Sequence, residues 1–152
     1  MQRYLYTAII VIALYSTCYA DAQFYIEDKA LKPVPDSIVQ PILKSEKAEE
    51  WKACKFIGKT IDLDGDGKAE DFAVTTEDGC NCGNAICTIW VLRYSGNHYT
   101  VILSDGGYSM SIGKKRQKGL ADISVEASTA GWSQKNVWVF DGKRYIKVKN
   151  NR

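Results

Sequence analysis

The sequence predicts a mainly β fold with one N-terminal helix, a small antiparallel domain of two blade-like sheets or a sandwich. Three observations point there. From Cys54 onward, short runs rich in β-branched and aromatic residues are separated by Gly, Asn and Asp clusters. Ahead of them, Ile38, Ile42 and Leu43 share one face at helical spacing, which Ala48 and Trp51 extend. Beyond the first 22 residues, about 130 remain, the size of one domain around one core.

The N-terminus begins with Arg3, an apolar run from Tyr4 to Leu14, and small residues closing at Ala20-Asp21-Ala22. This is the pattern of a cleavable secretion signal over residues 1–22. A membrane span needs about 20 apolar residues, and Ser16 and Thr17 interrupt the run. Cys18 follows Tyr15-Ser16-Thr17, a poor approach to a lipidated cysteine. A periplasmic or secreted location is expected, with no transmembrane segment once the signal is removed.

Residues 23–35 read as an extended lead-in that ends in Pro33-Val34-Pro35. The single domain follows over 36–152, with a helix over about 36–52 and antiparallel β structure over 54–149. Asp36 or Ser37 caps the helix. Pro41 lies too deep for a first turn begun at Asp36, so a start near Pro41 is the alternative. The expected strands are Lys55–Asp62, Asp71–Thr76, Cys87–Tyr94, Tyr99–Ser104, Ile123–Ser128, Val137–Asp141 and Tyr145–Lys149. Ser95-Gly96-Asn97 and Asp141-Gly142-Lys143 supply hairpin turns.

A faint internal echo runs through these strands. Gly67–Val74 resembles Lys118–Val125, and Trp90–Tyr99 parallels Trp138–Tyr145. Each copy would be a strand, a loop and a hairpin, and each would bury its face against the other. The competing explanation is chance likeness between β-rich segments.

Four cysteines lie beyond the expected leader: Cys54, Cys80, Cys82 and Cys87. In an exported chain an even count reads as two disulfides. A Cys80–Cys82 ring would be very tight, so Cys54 is expected to pair with Cys80 or Cys82, leaving the other for Cys87. The C-x-C-x4-C spacing lacks the paired C-x2-C knuckles of zinc sites.

Charge is unevenly spread. Residues 113–152 hold ten Lys or Arg against three acids, whereas residues 23–112 hold nine against fourteen. The densest basic run, Lys114-Lys115-Arg116-Gln117-Lys118, is either a solvated loop or a surface for an acidic partner. No nucleic-acid motif accompanies it.

The sharpest local signal is Asp62-Leu63-Asp64-Gly65-Asp66-Gly67-Lys68-Ala69-Glu70. Calcium takes six to eight oxygen ligands, and alternating aspartates converge when the backbone curls around the ion. Asp62, Asp64 and Asp66 would bind through carboxylates, Lys68 through its carbonyl, and Glu70 directly or through water. The twelfth position, where an EF-hand carries a bidentate Glu, is Ala73. Asp71 either replaces a ligand or faces the other side of its strand. An Asp/Gly turn without a metal is the bland alternative.

This loop, entering the apolar strand Phe72-Ala73-Val74, resembles the calcium loop of FG-GAP or VCBS-type repeats. The match covers residues 61–74, and the second copy from Lys118 lacks the aspartates. The resemblance implies a structural metal, ligand roles for Asp62, Asp64, Asp66, Lys68 and Glu70, and a role in adhesion or ligand binding. A propeller of at least four blades would not fit this length.

No catalytic residue is assigned. No G-x-S-x-G elbow, phosphate loop or H-E-x-x-H is present, and the single histidine, His98, falls at a hairpin tip. Ser104-Asp105-Gly106-Gly107 marks a turn. Function is therefore expected to be calcium-stabilised binding of an unknown protein or envelope glycan. An inhibitor or immunity protein is the expected form, and a small metal-dependent hydrolase of the cell envelope is the rival. The candidate partner surface is the 106–118 loop with Tyr108, Lys114, Lys115 and Arg116, together with Trp132 in a second loop.

Overall fold

The computed structural model describes residues 23–46 and 49–148. The expected leader, residues 1–22, lies outside the described residues. So does Lys149, the end of the last expected strand.

The lead-in contributes two short strands, β1 (Gln23–Tyr25) and β2 (Lys32–Pro33). Helix α1 spans Asp36–Glu46. The Pro35 carbonyl accepts the N–H groups of Ile38 and Val39 at 2.9 and 3.2 Å, which opens the first turn. Asp36 in that turn and Lys44 in the last complement the helix dipole. Pro41 lies inside the helix, not at its start. Its missing N–H is tolerated because Ile38 and Ile42, both fully buried, seat the helix on a sheet. A short 3-10 turn, Glu49–Ala53, carries Trp51 to the same core.

Two four-stranded meanders follow. The first comprises β3 (Phe56–Ile61), β4 (Asp71–Thr76), β5 (Cys87–Tyr94) and β6 (Tyr99–Gly107). The second comprises β7 (Ser109–Gln117), β8 (Leu120–Thr129), β9 (Trp132–Phe140) and β10 (Tyr145–Lys147). Strand β2 pairs antiparallel with β3, and β1 pairs antiparallel with β7. The result is two antiparallel five-stranded sheets, ordered β2-β3-β4-β5-β6 and β1-β7-β8-β9-β10, that do not close into a barrel. This is the small β sandwich with one helix that the sequence predicts.

Strand alternation sorts the side chains into two cores. Between the sheets lie Phe24, Ala73, Ile89, Val91, Leu103, Met110, Ile123 and Val125. The other face of the first sheet, with Val74, Trp90 and Leu92, is covered by α1 and Trp51. Trp51 and Trp90 meet edge to face with ring centroids 5.0 Å apart, and the Trp90 Nε1–H donates to Glu46 at the helix end, at 2.6 Å. The layers therefore run helix, sheet, sheet.

The segment expected to be a loop, residues 106–118, is instead the end of β6 and the whole of β7. Ser104–Gly107 is likewise strand, not turn. The chain crosses between the sheets at Gly107, where a Cβ would come within 2.6 Å of Val125 Cγ1 and 2.7 Å of the Glu126 carbonyl. Only glycine fits that approach. Trp132, expected in a loop, is the first residue of β9 and pairs with Thr129.

Disulfides join Cys54 to Cys80 and Cys82 to Cys87. Both brace the loop between β4 and β5. No helix among the described residues is long and apolar enough to cross a membrane.

Candidate functional site

The loop between β3 and β4 brings the Asp62, Asp64 and Asp66 carboxylates within 4.8 Å of one another. Its own backbone enforces the curl. Asp62 accepts the N–H of Gly65 through Oδ1 at 2.6 Å and that of Gly67 through Oδ2 at 3.0 Å. Asp64 accepts from Asp66 N at 3.1 Å, and Asp66 from Lys68 N at 2.8 Å. Gly65 and Gly67 have φ of +72° and +88°, which other residues adopt at a cost. The donor set is three hard oxygen groups on an acidic loop, the chemistry that suits calcium. Glu70 is exposed and lies outside this cluster, and the Lys68 carbonyl accepts the Glu70 N–H at 3.1 Å.

Three neighbours fix the loop in place. Leu63 is fully buried between the sheets, and its carbonyl accepts the Ala121 N–H of β8 at 2.8 Å. Asp71 points inward: it is buried and accepts the Tyr94 N–H at 2.9 Å. Burial pushes its carboxyl up from the ordinary value, against hydrogen bonds from the Tyr94 and Leu63 backbones, with Asp64 adding to the rise. Asp71 is thus a brace behind the loop. The third neighbour is Arg116, whose guanidinium lies so close to Gly65 that a Cβ there would overlap it.

The expected partner surface is therefore divided. Lys114 and Lys115 are exposed on β7, while Arg116 is turned onto the aspartate loop. Tyr108, at the other end of β7, is half-buried and donates its hydroxyl to Glu126 at 3.2 Å. Trp132 is 47% exposed, beside the β8–β9 turn. His98 is exposed at its hairpin, with Nδ1 2.8 Å from Asn97 Oδ1.

Sequence reasoning did not anticipate a polar clamp between the sheets. Asp105 Oδ2 on β6 accepts from Asn136 Nδ2 at 2.9 Å and Trp138 Nε1 at 2.8 Å on β9. The alternation Trp132-x-Gln134-x-Asn136-x-Trp138 signals one strand face, but its partner lies 31 residues away for Asn136.

Compared with known proteins, the chain matches no family model, no curated protein and no solved structure.

Proposed function

We propose that this is an exported, calcium-stabilised binding protein, of the inhibitor or immunity-protein kind, acting on an envelope or secreted partner. The observation that carries the proposal is the convergence of Asp62, Asp64 and Asp66 within 4.8 Å on a loop anchored by buried Leu63. A bound calcium ion would neutralise carboxylates that otherwise repel one another. Asp62, Asp64, Asp66 and the Lys68 carbonyl would hold it, with Glu70 closing the shell after a shift of its exposed side chain. The likeness of residues 61–74 to FG-GAP and VCBS-type loops supports the same structural role. Two disulfides fit an oxidising compartment, and periplasmic or secreted surroundings would also supply calcium.

The site reads as a clip because its anchors, Leu63 and Asp71, are core contacts and not substrate-facing groups. Calcium at ten times its Kd should add about 1.4 kcal/mol of stability, seen as a rise in melting temperature. The double variant Asp64→Asn, Asp66→Asn should lose that rise. Unchanged melting in calcium and in chelator, together with loss of turnover on a cell-wall substrate, would instead establish the hydrolase reading.

A further inference from the structure

We propose that a cleft at the end of the sandwich opposite the aspartate loop docks an extended segment of a partner protein through a lysine or arginine side chain. This rests on the binding role above and names the partner's chemistry.

The cleft consists of two adjoining hollows of about 690 and 420 Å³, the size range of ligand sites. They share Ile26, Glu27 and Ala85. Tyr25 and Tyr108 wall the larger hollow, and the smaller one runs on past Asp78 to Thr76. Thr76 ends β4 while Asp71, next to the aspartate loop, begins it. A six-residue strand, about 17 Å long between those residues, thus separates cleft from loop.

Its charge has one sign. Glu27, Asp28 and Asp78 line the hollows, and neither Lys nor Arg does. Asp28 is 3.7 Å from Lys59 Nζ, but among the described residues Glu27 and Asp78 have no ion pair. Two tyrosine rings in the same hollow as the unpaired Glu27, with Asp78 farther along the trough, suit a cation on an aliphatic stem, which gains from the ring faces and from charge-assisted hydrogen bonds. A trough of two joined hollows is longer than one side chain needs, which favours a chain segment over a single amine.

The wall is also built in advance. Asp78, Asn81, Asn84 and Ala85 all have positive φ, a conformation that alanine in particular rarely adopts. Both disulfides close this loop, Cys82–Cys87 directly around Asn84 and Ala85. Residues held in rare backbone conformations, as Ala85 is, cluster at active sites and ligand clamps, and a preformed wall lowers the ordering cost of association.

The test uses the oxidised protein and fluorescein-labelled Gly/Ser hexapeptides with one central Arg, Lys, Gln or Glu, read by anisotropy. Arg and Lys peptides should bind at least about tenfold more tightly than the Gln peptide. The double variant Glu27→Gln, Asp78→Asn should erase that preference without changing the melting temperature, since both side chains are exposed and Asn tolerates positive φ. Equal binding of Arg and Gln peptides, or full preference in the double variant, overturns the proposal. Spermidine binding as tightly as the Arg peptide also overturns it, assigning the cleft to small amines. Each titration is repeated in calcium and in chelator. An Arg preference that persists alongside a calcium-independent melting temperature supports the cleft while removing the calcium reading.

Discussion

The two meanders run through the same succession of strands and differ in kind at the connection after their first strand. Between β3 and β4 the chain takes the wide aspartate loop. Between β7 and β8 it turns in two residues, Lys118 and Gly119, with φ of +52° and +93° and with Gln117 paired to Leu120 across the turn. Positive φ at both central positions matches the right-handed twist of the flanking strands. The wide loop touches the strands on either side of the tight turn, through the Ala121–Leu63 hydrogen bond and Arg116 over Gly65. A tight turn satisfies its own backbone and needs nothing further. The wide loop satisfies its backbone with aspartate oxygens and so collects charge that a cation would relieve.

The faint sequence echo follows this division. Its paired segments fall on β4 and β8, on β5 and β9, and on β6 and β10. What separates the halves is cover: the first sheet is packed on both faces and carries both disulfides, while the second has one face toward solvent.

The largest effect is expected from a cavity at the loop anchor. Leu63→Ala should lower unfolding free energy by about 3 kcal/mol in denaturant titration, and Leu120→Ala, equally buried just after the tight turn, by a similar amount. A cost below about 1 kcal/mol at Leu63 alone would mean that the wide loop is an appendage. The disulfides come next. Replacing Cys54 and Cys80 by Ser should destabilise more than replacing Cys82 and Cys87. The pairs span 26 and 5 residues, a difference of roughly 1.5 kcal/mol in closure entropy. Equal losses would show that native contacts held by the short ring, not chain entropy, dominate its contribution.

The smallest effect lies on the open face. Hydrogen bonding from Lys135, with a further one from Tyr108, holds Glu126 below its ordinary 4.5. Its contribution is present above that value and lost as pH falls through the lower folded one. The pair is partly exposed, so about 0.3 kcal/mol is expected. Melting curves recorded between about pH 6 and pH 3 should lose slightly less for Glu126→Gln than for the parent.

How much of this could be read from the sequence depended on whether a signal was local. Strands β4 and β5 match their expected bounds because alternation is bracketed by Asp71, Thr76, Cys87 and Tyr94. Strand β7 escaped notice because Gly113-Lys114-Lys115-Arg116 shows no apolar alternation, and its register with β8 is interrupted between Ile112 and Arg116. The start of β9 was missed because Trp132, Ser133 and Gln134 look like loop. Three aspartates in one short run announce themselves. Arg116 over Gly65 and Tyr94 behind Asp71 are contacts across the fold, and spacing in the chain carries no trace of them. The cleft was hidden for the same reason, since Tyr25, Ala85 and Tyr108 meet only after both sheets form.

The lead-in bears on the order of assembly. Its second strand finds a partner nearby, Lys32 opposite Gly58, but its first pairs Gln23 with Ser111, a contact that waits for most of the chain. Long-range pairing is slow because closure entropy is lost before contacts form. Pulsed hydrogen exchange during refolding should therefore protect β2 and β3 before β1. Until β7 arrives, Phe24, fully buried in the finished domain, is an aromatic side chain with nowhere to go. The residues at the head of the domain are thus locked only once β7 has formed, and a chain halted after Gly107 would leave them dangling.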